Sequence, residues 1–304
     1  LDEVTQKDRF YAACDSHDVP YPRTWVVPFG KGYDAGFLAG THMELVEARE
    51  ALRGLDYPLI AKPSNSADWH YAEIEDKHKV YTIADADHML RVYDQIAASS
   101  YHHALLLQEV LSTSDEALYS LTTFSDAQGN MLVGVSGNVL VQDRSATGIG
   151  NPLVILGDER RRDLLECAAK LLAHFRYEGY ANFDVMNDAQ GNPHFLEVNT
   201  RPGRNTFYVS LAGCPFVKPI VEHYVRERDL REALRPEELA AEKPFLFCMV
   251  PRSVVEQETH GDKKERALKL FDEGVWQNPL LNKEDGAKQR FWAKVNFEHM
   301  RSKF

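Results

Sequence analysis

The chain has 304 residues, 27% charged and 44% hydrophobic, with 35 basic against 46 acidic side chains and a formal net charge of −11. These proportions exclude wholesale disorder, a coiled coil and a membrane-embedded class, and at roughly 150 residues per domain they predict about two domains. The acidic balance disfavours nucleic acid and anionic lipid as partners. The four cysteines, Cys14, Cys167, Cys214 and Cys248, lie far apart with no CxxC pair. Neither a disulfide framework nor a thiolate zinc site has its usual spacing, so the expected compartment is the reducing cytoplasm. No apolar run approaches the roughly 18 residues that cross a bilayer, and no charged-then-apolar signal opens the chain. Starting at Leu1 rather than methionine, the sequence reads as a fragment or a processed N-terminus.

A helix is expected over residues 5–17, with Thr5 as N-cap and Phe10, Ala13 and Cys14 on one face, stopped by Pro20 and Pro22. Thr24 to Pro28, Leu59-Ile60-Ala61 and Leu105-Leu106-Leu107 read as buried strands. Met43 to Leu52 and Asp85 to Ala97 have helical spacing of apolar residues, which gives one small α+β unit up to about residue 108. Leu118 to Phe124 and Met131 to Val141 form an expected hairpin around Asp126-Ala127-Gln128-Gly129-Asn130. Asp158 to Phe175 carries one apolar stripe of a helix, and a second hairpin spans Tyr180 to Thr200. Beyond Arg226 the helical patterns weaken.

That second hairpin carries the chemistry. Ala181-Asn182-Phe183-Asp184-Val185 turns through Asp188-Ala189-Gln190-Gly191 and returns as Phe195-Leu196-Glu197-Val198-Asn199. A register with Asp184 opposite Glu197 puts the turn at the glycine. Phe183, Val185, Leu196 and Val198 then share a buried face, and Asn182, Asp184, Glu197 and Asn199 share the other. Such a face is either an ordinary wet sheet surface or a cation site. Asp and Asn are poor strand residues and facing carboxylates repel, which favours a cation; oxygen-only donors suit magnesium.

Two weaker signals precede it. Lys62 ends the strand Tyr57-Pro58-Leu59-Ile60-Ala61-Lys62-Pro63, where it can either meet solvent or offer a compact cation to a phosphate. After Leu107 come Gln108, Glu109 and then Asp115, polar groups able to meet an adenine edge and ribose hydroxyls. His102, His103 and His260 lack the HExxH spacing, and Gly148-Ile149-Gly150 lacks a dinucleotide fingerprint; both read as surface features. Arg144, just before that loop, could reach phosphates across it.

In this order the segments resemble the ATP-grasp superfamily over about residues 5–225, most specifically in the Phe-Asp-Val and Phe-Leu-Glu-Val-Asn-Thr-Arg-Pro-Gly blocks. The resemblance implies an α+β fold in which two α+β subdomains grip ATP. Residues 1–22 would be a helical lead-in, 23–108 the small subdomain, 109–225 the large subdomain with the metal site, and 226–304 a C-terminal extension. It implies Lys7 and Lys62 on the phosphates, Gln108 and Glu109 near adenine, and Asp115 near ribose. Asp184, Glu197 and Asn199 would hold two magnesium ions, bridged by Glu197, with manganese as an alternative.

Within the superfamily the chain is most similar to D-aspartate ligases of cell-wall cross-bridge synthesis and more distantly to the large subunit of carbamoyl-phosphate synthase. Ser64-Asn65-Ser66-Ala67-Asp68-Trp69-His70 replaces the usual glycine-rich loop, Arg201 and Arg204 flank Pro202-Gly203, and Asn278-Pro279-Leu280 with Lys288-Gln289-Arg290 resembles their tail. The implied activity is a carboxylate–amine ligase working through an acyl phosphate, with Lys62 and Arg201 catalytic and Arg201 and Arg204 on the substrate. D-aspartate is the first expected carboxylate, and a peptidoglycan precursor the amine. Bicarbonate phosphorylation, or a nucleotide-binding module without chemistry, is the alternative. A further domain that usually precedes the Lys7 helix is expected to be absent from this chain.

Overall fold

The computed structural model describes residues 4, 6–29, 43–44, 48–112, 114–145, 148, 150–281 and 284–304. Thr5, the expected N-cap, and Ile149 of the glycine pair lie outside these. The chain divides into two compact units, Leu1–Thr113 with Asp188–Val198, and Ser114–Asn187 with Asn199–Phe304.

In the first unit, helix α1 (Lys7–Ser16) buries Phe10, Ala13 and Cys14 as expected, and Tyr11 with them. Strands β1 (Thr24–Pro28), β2 (Met43–Glu44), β3 (Leu59–Pro63), β4 (Tyr81–Ile83) and β5 (Ala104–Glu109) form a sheet in the order β2-β1-β5-β3-β4. The expected helix over Met43 to Leu52 is corrected here. Met43 and Glu44 pair in parallel with β1, and the helix, α2, is described over Ala48–Arg53. Helix α3 (Ser66–Tyr71) starts at Asn65, whose side-chain oxygen accepts from the amides of Ala67 and Asp68, both at 3.0 Å. Helix α4 (Ala86–Ala97) is capped by Asp85 and presses Met89, Val92 and Ile96 onto Trp25, Val27, Leu59, Ala61, Leu105 and Leu107. Because side chains alternate along strands, Thr24, Gln108 and Ile60 line up in one row of the opposite face, and Val26, Leu106 and Lys62 in the next.

The second unit is built on strands β6 (Leu118–Ser125), β7 (Met131–Gln142), β8 (Pro152–Gly157), β9 (Gly179–Asn187), β11 (Phe245–Cys248) and β12 (Trp276–Gln277), ordered β9-β6-β7-β8-β11-β12; β10 (Pro193–Asn199) falls in the first unit up to Val198. Helix α5 (Arg162–Phe175) buries Leu164, Leu165, Ala168, Leu171 and Leu172, the expected stripe. Strands β8 and β11 carry no expectation from the sequence. They are short apolar runs without alternation, and β11 comes from the region read as a separate tail; Leu246 and Cys248 pack with Leu140, Val154, Val255 and Ala267.

The hairpin strands form where expected, but their buried faces differ. Phe183, Val185 and Val198 are buried, Leu196 is half-buried, and Phe195 is fully buried instead, its amide donating to the Pro20 carbonyl at 2.8 Å. Asn182 is buried rather than part of a wet face. The same five residues, Asp-Ala-Gln-Gly-Asn, make both hairpin turns, at 126–130 and 188–192. In each, the aspartate carboxylate accepts the amides two and four residues on, and the glycine takes a positive φ, +82° at Gly129 and +86° at Gly191.

Candidate functional site

The first unit assembles the expected cations. Lys7 opens α1, is 9% exposed, and its Nζ donates to Ser66 Oγ at 3.3 Å and pairs with Glu197 Oε2 at 3.4 Å. Lys62, also 9% exposed, donates to Tyr11 Oη at 2.9 Å and to the Leu196 carbonyl at 3.5 Å, while Tyr11 donates to the same carbonyl at 2.6 Å. Burial pushes the Tyr11 hydroxyl well above the ordinary tyrosine range, so it stays a neutral donor. Glu197 behaves oppositely: burial disfavours its charge, but Lys7, Lys62 and Lys79 outweigh this and hold its carboxyl below the ordinary glutamate value. Buried ammonium groups are costly unless paired and hydrogen-bonded, and here Tyr11, Ser66, Leu196 and Glu197 supply that environment.

Gln108 is buried and its amide donates to Thr24 Oγ1 at 2.8 Å. Its side chain is thus committed across the β1–β5 pair. Glu109, at the strand end, accepts the Arg23 amide at 2.8 Å. Two contributors were not read from the sequence. Tyr11 lies one helical turn after Lys7, a spacing that could have flagged it; exposed Lys79 carries no such signal.

The second unit holds the remaining residues. Asp184 is half-buried, its Oδ1 accepting from Asn182 Nδ2 at 3.3 Å and its Oδ2 from Asn199 Nδ2 at 3.5 Å. A carboxylate beside a carboxamide is a hard-oxygen donor set of the kind magnesium takes. The set fits that ion in chemistry. Among the described residues no group of three or more His, Cys, Asp or Glu side chains converges to hold a metal ion. Asp115 accepts both the Gln142 amide, at 3.0 Å, and its side-chain nitrogen, at 3.1 Å, which ties it to the end of β7.

Arg201 and Arg204 are exposed, and Arg201 reaches only the Pro202 carbonyl at 3.5 Å among its hydrogen bonds in the described residues. Arg144 pairs with Glu258 at 2.9 Å and lies over the Phe304 ring. All four cysteines are free thiols. Among the described residues no helix is long and apolar enough to cross a membrane.

The family model for the carbamoyl-phosphate synthase L chain, ATP binding domain, matches residues 38–221. D-aspartate ligase of Enterococcus faecium (strain Aus0004) is 23% identical over 299 residues, 98% of this chain and 68% of that protein. The biotin carboxylase domain of Hydrogenobacter thermophilus 2-oxoglutarate carboxylase, solved with MgADP, ADP and bicarbonate, aligns with a TM-score of 0.54 at 18% identity, over 77% of this chain and 48% of that one. Campylobacter jejuni biotin carboxylase, solved as a β-γ-ATP complex, gives 0.52 at 15% identity, over 73% and 46%. The chain therefore spans about half the length of these solved chains. At such identities the likeness is one of fold, and the fold is the ATP-grasp fold expected from the sequence.

Proposed function

We propose that this chain, which belongs to the family of the carbamoyl-phosphate synthase L chain ATP binding domain, forms the nucleotide-binding part of an ATP-dependent carboxylate–amine ligase. The observation that carries this reading is the pair of buried lysines, Lys7 and Lys62, with Lys7 paired to Glu197 at 3.4 Å; exposed Lys79 adds to the positive field on that carboxylate. Compact cations held in a partly dry setting suit the triphosphate of ATP. Glu109 and the end of β5 take the adenine side. Gln108, committed to Thr24, serves by fixing that strand end, and Asp115 serves the ribose.

In the reaction a substrate carboxylate oxygen attacks the γ-phosphorus, the bond to the β-phosphate oxygen breaks, and ADP leaves with an acyl phosphate formed. An amine nitrogen then attacks the acyl carbon, and inorganic phosphate departs as the amine gives up a proton. Such chemistry needs positioning and charge neutralisation rather than a nucleophilic side chain. Lys62 and Arg201 neutralise the transferring group, and Arg204 holds a second carboxylate of the substrate through its planar fork. Magnesium, when bound, supplies further positive charge to the phosphates, and Asp184, Asn199 and Glu197 are the residues that would hold it.

D-aspartate is the first carboxylate to test, supported by the similarity to the E. faecium ligase along 98% of this chain. The amine is proposed to be that of a peptidoglycan precursor, and the setting a cell-wall role in the cytoplasm, as the resemblance of the sequence implies. ATP with magnesium should raise the melting temperature of the full chain by mass action, and Lys62→Ala should abolish the rise. No shift at millimolar ATP would refute nucleotide binding. ADP release that depends on bicarbonate and ignores D-aspartate would turn the assignment toward bicarbonate phosphorylation, and ATP binding without any turnover toward a regulatory module.

A further inference from the structure

Asp184 stands at one end of a buried chain of hydrogen bonds whose every direction is forced. In the β6–β9 register, Ser120 lies opposite Asp184 and Thr122 opposite Asn182, so these four side chains share one face of the sheet. An ionised carboxylate only accepts, so Asn182 must turn its nitrogen to Asp184, at 3.3 Å, and its oxygen away. That oxygen accepts the hydroxyls of Thr122 at 2.9 Å and Ser120 at 3.2 Å. With both hydroxyl protons spent there, Thr122 can only accept from Tyr208 Oη, at 2.8 Å, and Ser120 from Asn205 Nδ2, at 3.0 Å. Ser120, Thr122, Asn182, Asn205 and Tyr208 are all at most 5% exposed.

Asn205 and Tyr208 follow directly on the loop that carries Arg201 and Arg204. We propose that Asn205 and Tyr208 are positioning residues for Asp184, latching the arginine loop through Ser120, Thr122 and Asn182 so that the carboxylate of Asp184 has one fixed orientation toward a divalent cation. This rests on the reading of Asp184 as a metal-holding residue. A carboxylate fixed by outer partners binds a cation without first losing rotational freedom, and removing such partners typically costs about 10–100-fold in metal affinity.

Manganese binding to the full chain, followed by electron paramagnetic resonance in the presence of ADP, tests this. Tyr208→Phe keeps the ring stacked on Phe245, at 5.5 Å between centroids, and removes only the hydroxyl; Thr122→Val removes a hydroxyl at equal volume. Both should weaken manganese binding about tenfold or more, and Thr122→Ser, which restores the hydroxyl, should bind as the parent does. A merely structural role would instead lower the metal-free melting temperature and leave manganese affinity within a factor of about two. That result, with Asp184→Asn still weakening binding, would overturn the latch alone. If Asp184→Asn bound manganese normally, the metal reading itself would fall, and the latch with it.

Discussion

The two units hold their shares of the candidate chemistry by different forces. In the first, Lys7 and Glu197 meet as an ion pair within a lysine cluster, and the charges set one another's state. In the second, Asp184 is held by two carboxamides backed by hydroxyls, while the cations Arg201 and Arg204 remain exposed. A partly buried ion pair responds steeply to loss of either charge. A neutral hydrogen-bond chain contributes about 1 kcal/mol per link and chiefly fixes direction. Charge substitutions should therefore strike the stability of the first unit, whereas the second should lose function before it loses fold.

The largest test of this contrast is Glu197→Gln against Asp184→Asn. Each should reduce turnover by about 10²–10³, the effect of deleting one preorganised electrostatic contact. Only Glu197→Gln should also lower stability, by roughly 1–2 kcal/mol, between the values for an exposed and a fully buried ion pair, because Lys7 then faces a neutral amide. Chemical denaturation of both variants reads the difference. Equal losses of stability would break the distinction.

Arg204→Glu sharpens the other half of it. An exposed guanidinium contributes nothing the fold needs, so stability should stay within about 0.5 kcal/mol of the parent. The KM for D-aspartate should rise about 10–100-fold, the value of one charge-assisted contact, with ATP binding unchanged. Initial-rate kinetics with aspartate and ATP varied separately measure both, and a matching rise in the KM for ATP would place Arg204 on the nucleotide instead.

Much of this was legible in the sequence because it obeys short periods. Lys62 at a strand end, the α5 stripe and the Asp-Ala-Gln-Gly-Asn turns depend on residues a few positions apart. The partners that decide their state are distant in the chain. Nothing local to Lys62 reveals Tyr11, and nothing local to Asp184 reveals Tyr208, which is linked to it only through Thr122 and Asn182, because these hydrogen bonds exist only after strands or helices pack. The buried Asn182 was misread for a related reason. Alternation assigns a residue to a face, but only tertiary packing decides whether that face is wet, and here hydroxyls from β6 cover it. Strands β8 and β11 escaped because a short apolar run, buried on both sides, has no period to detect.

The two identical turns offer a smaller and cleaner comparison, since one lies in each unit. At Gly129 an added Cβ would meet the Leu172 carbonyl oxygen at 2.5 Å and the Cα atoms of Ala173 and Arg176 at 3.0 Å; at Gly191 it would meet nothing within 4 Å. Both substitutions incur the cost of a positive φ, about 1 kcal/mol, but Gly129→Ala must also displace backbone at the end of α5. It should cost about 1–2 kcal/mol more than Gly191→Ala. Thermal unfolding of the pair separates strain in the turn from crowding around it.

The smallest expected effect is the pH dependence of the Lys7–Glu197 pair. The folded-state pKa of Glu197 lies below its ordinary value of 4.5: burial raises it, but Lys7, Lys62 and Lys79 lower it further. A depressed carboxyl pKa contributes stability that is fully present above the unfolded value and lost as pH falls through the folded one. The difference in unfolding free energy between the parent and Glu197→Gln should accordingly be constant from pH 7 down to about 5, then shrink below the unfolded value of 4.5 as the parent takes up its proton. Asp184→Asn, in the second unit, sets the comparison, and urea titrations at each pH measure all three proteins. If the Glu197→Gln difference instead grew on acidification, the lysines would not be holding this carboxylate ionised, and the ionic character assigned to the first unit would be wrong.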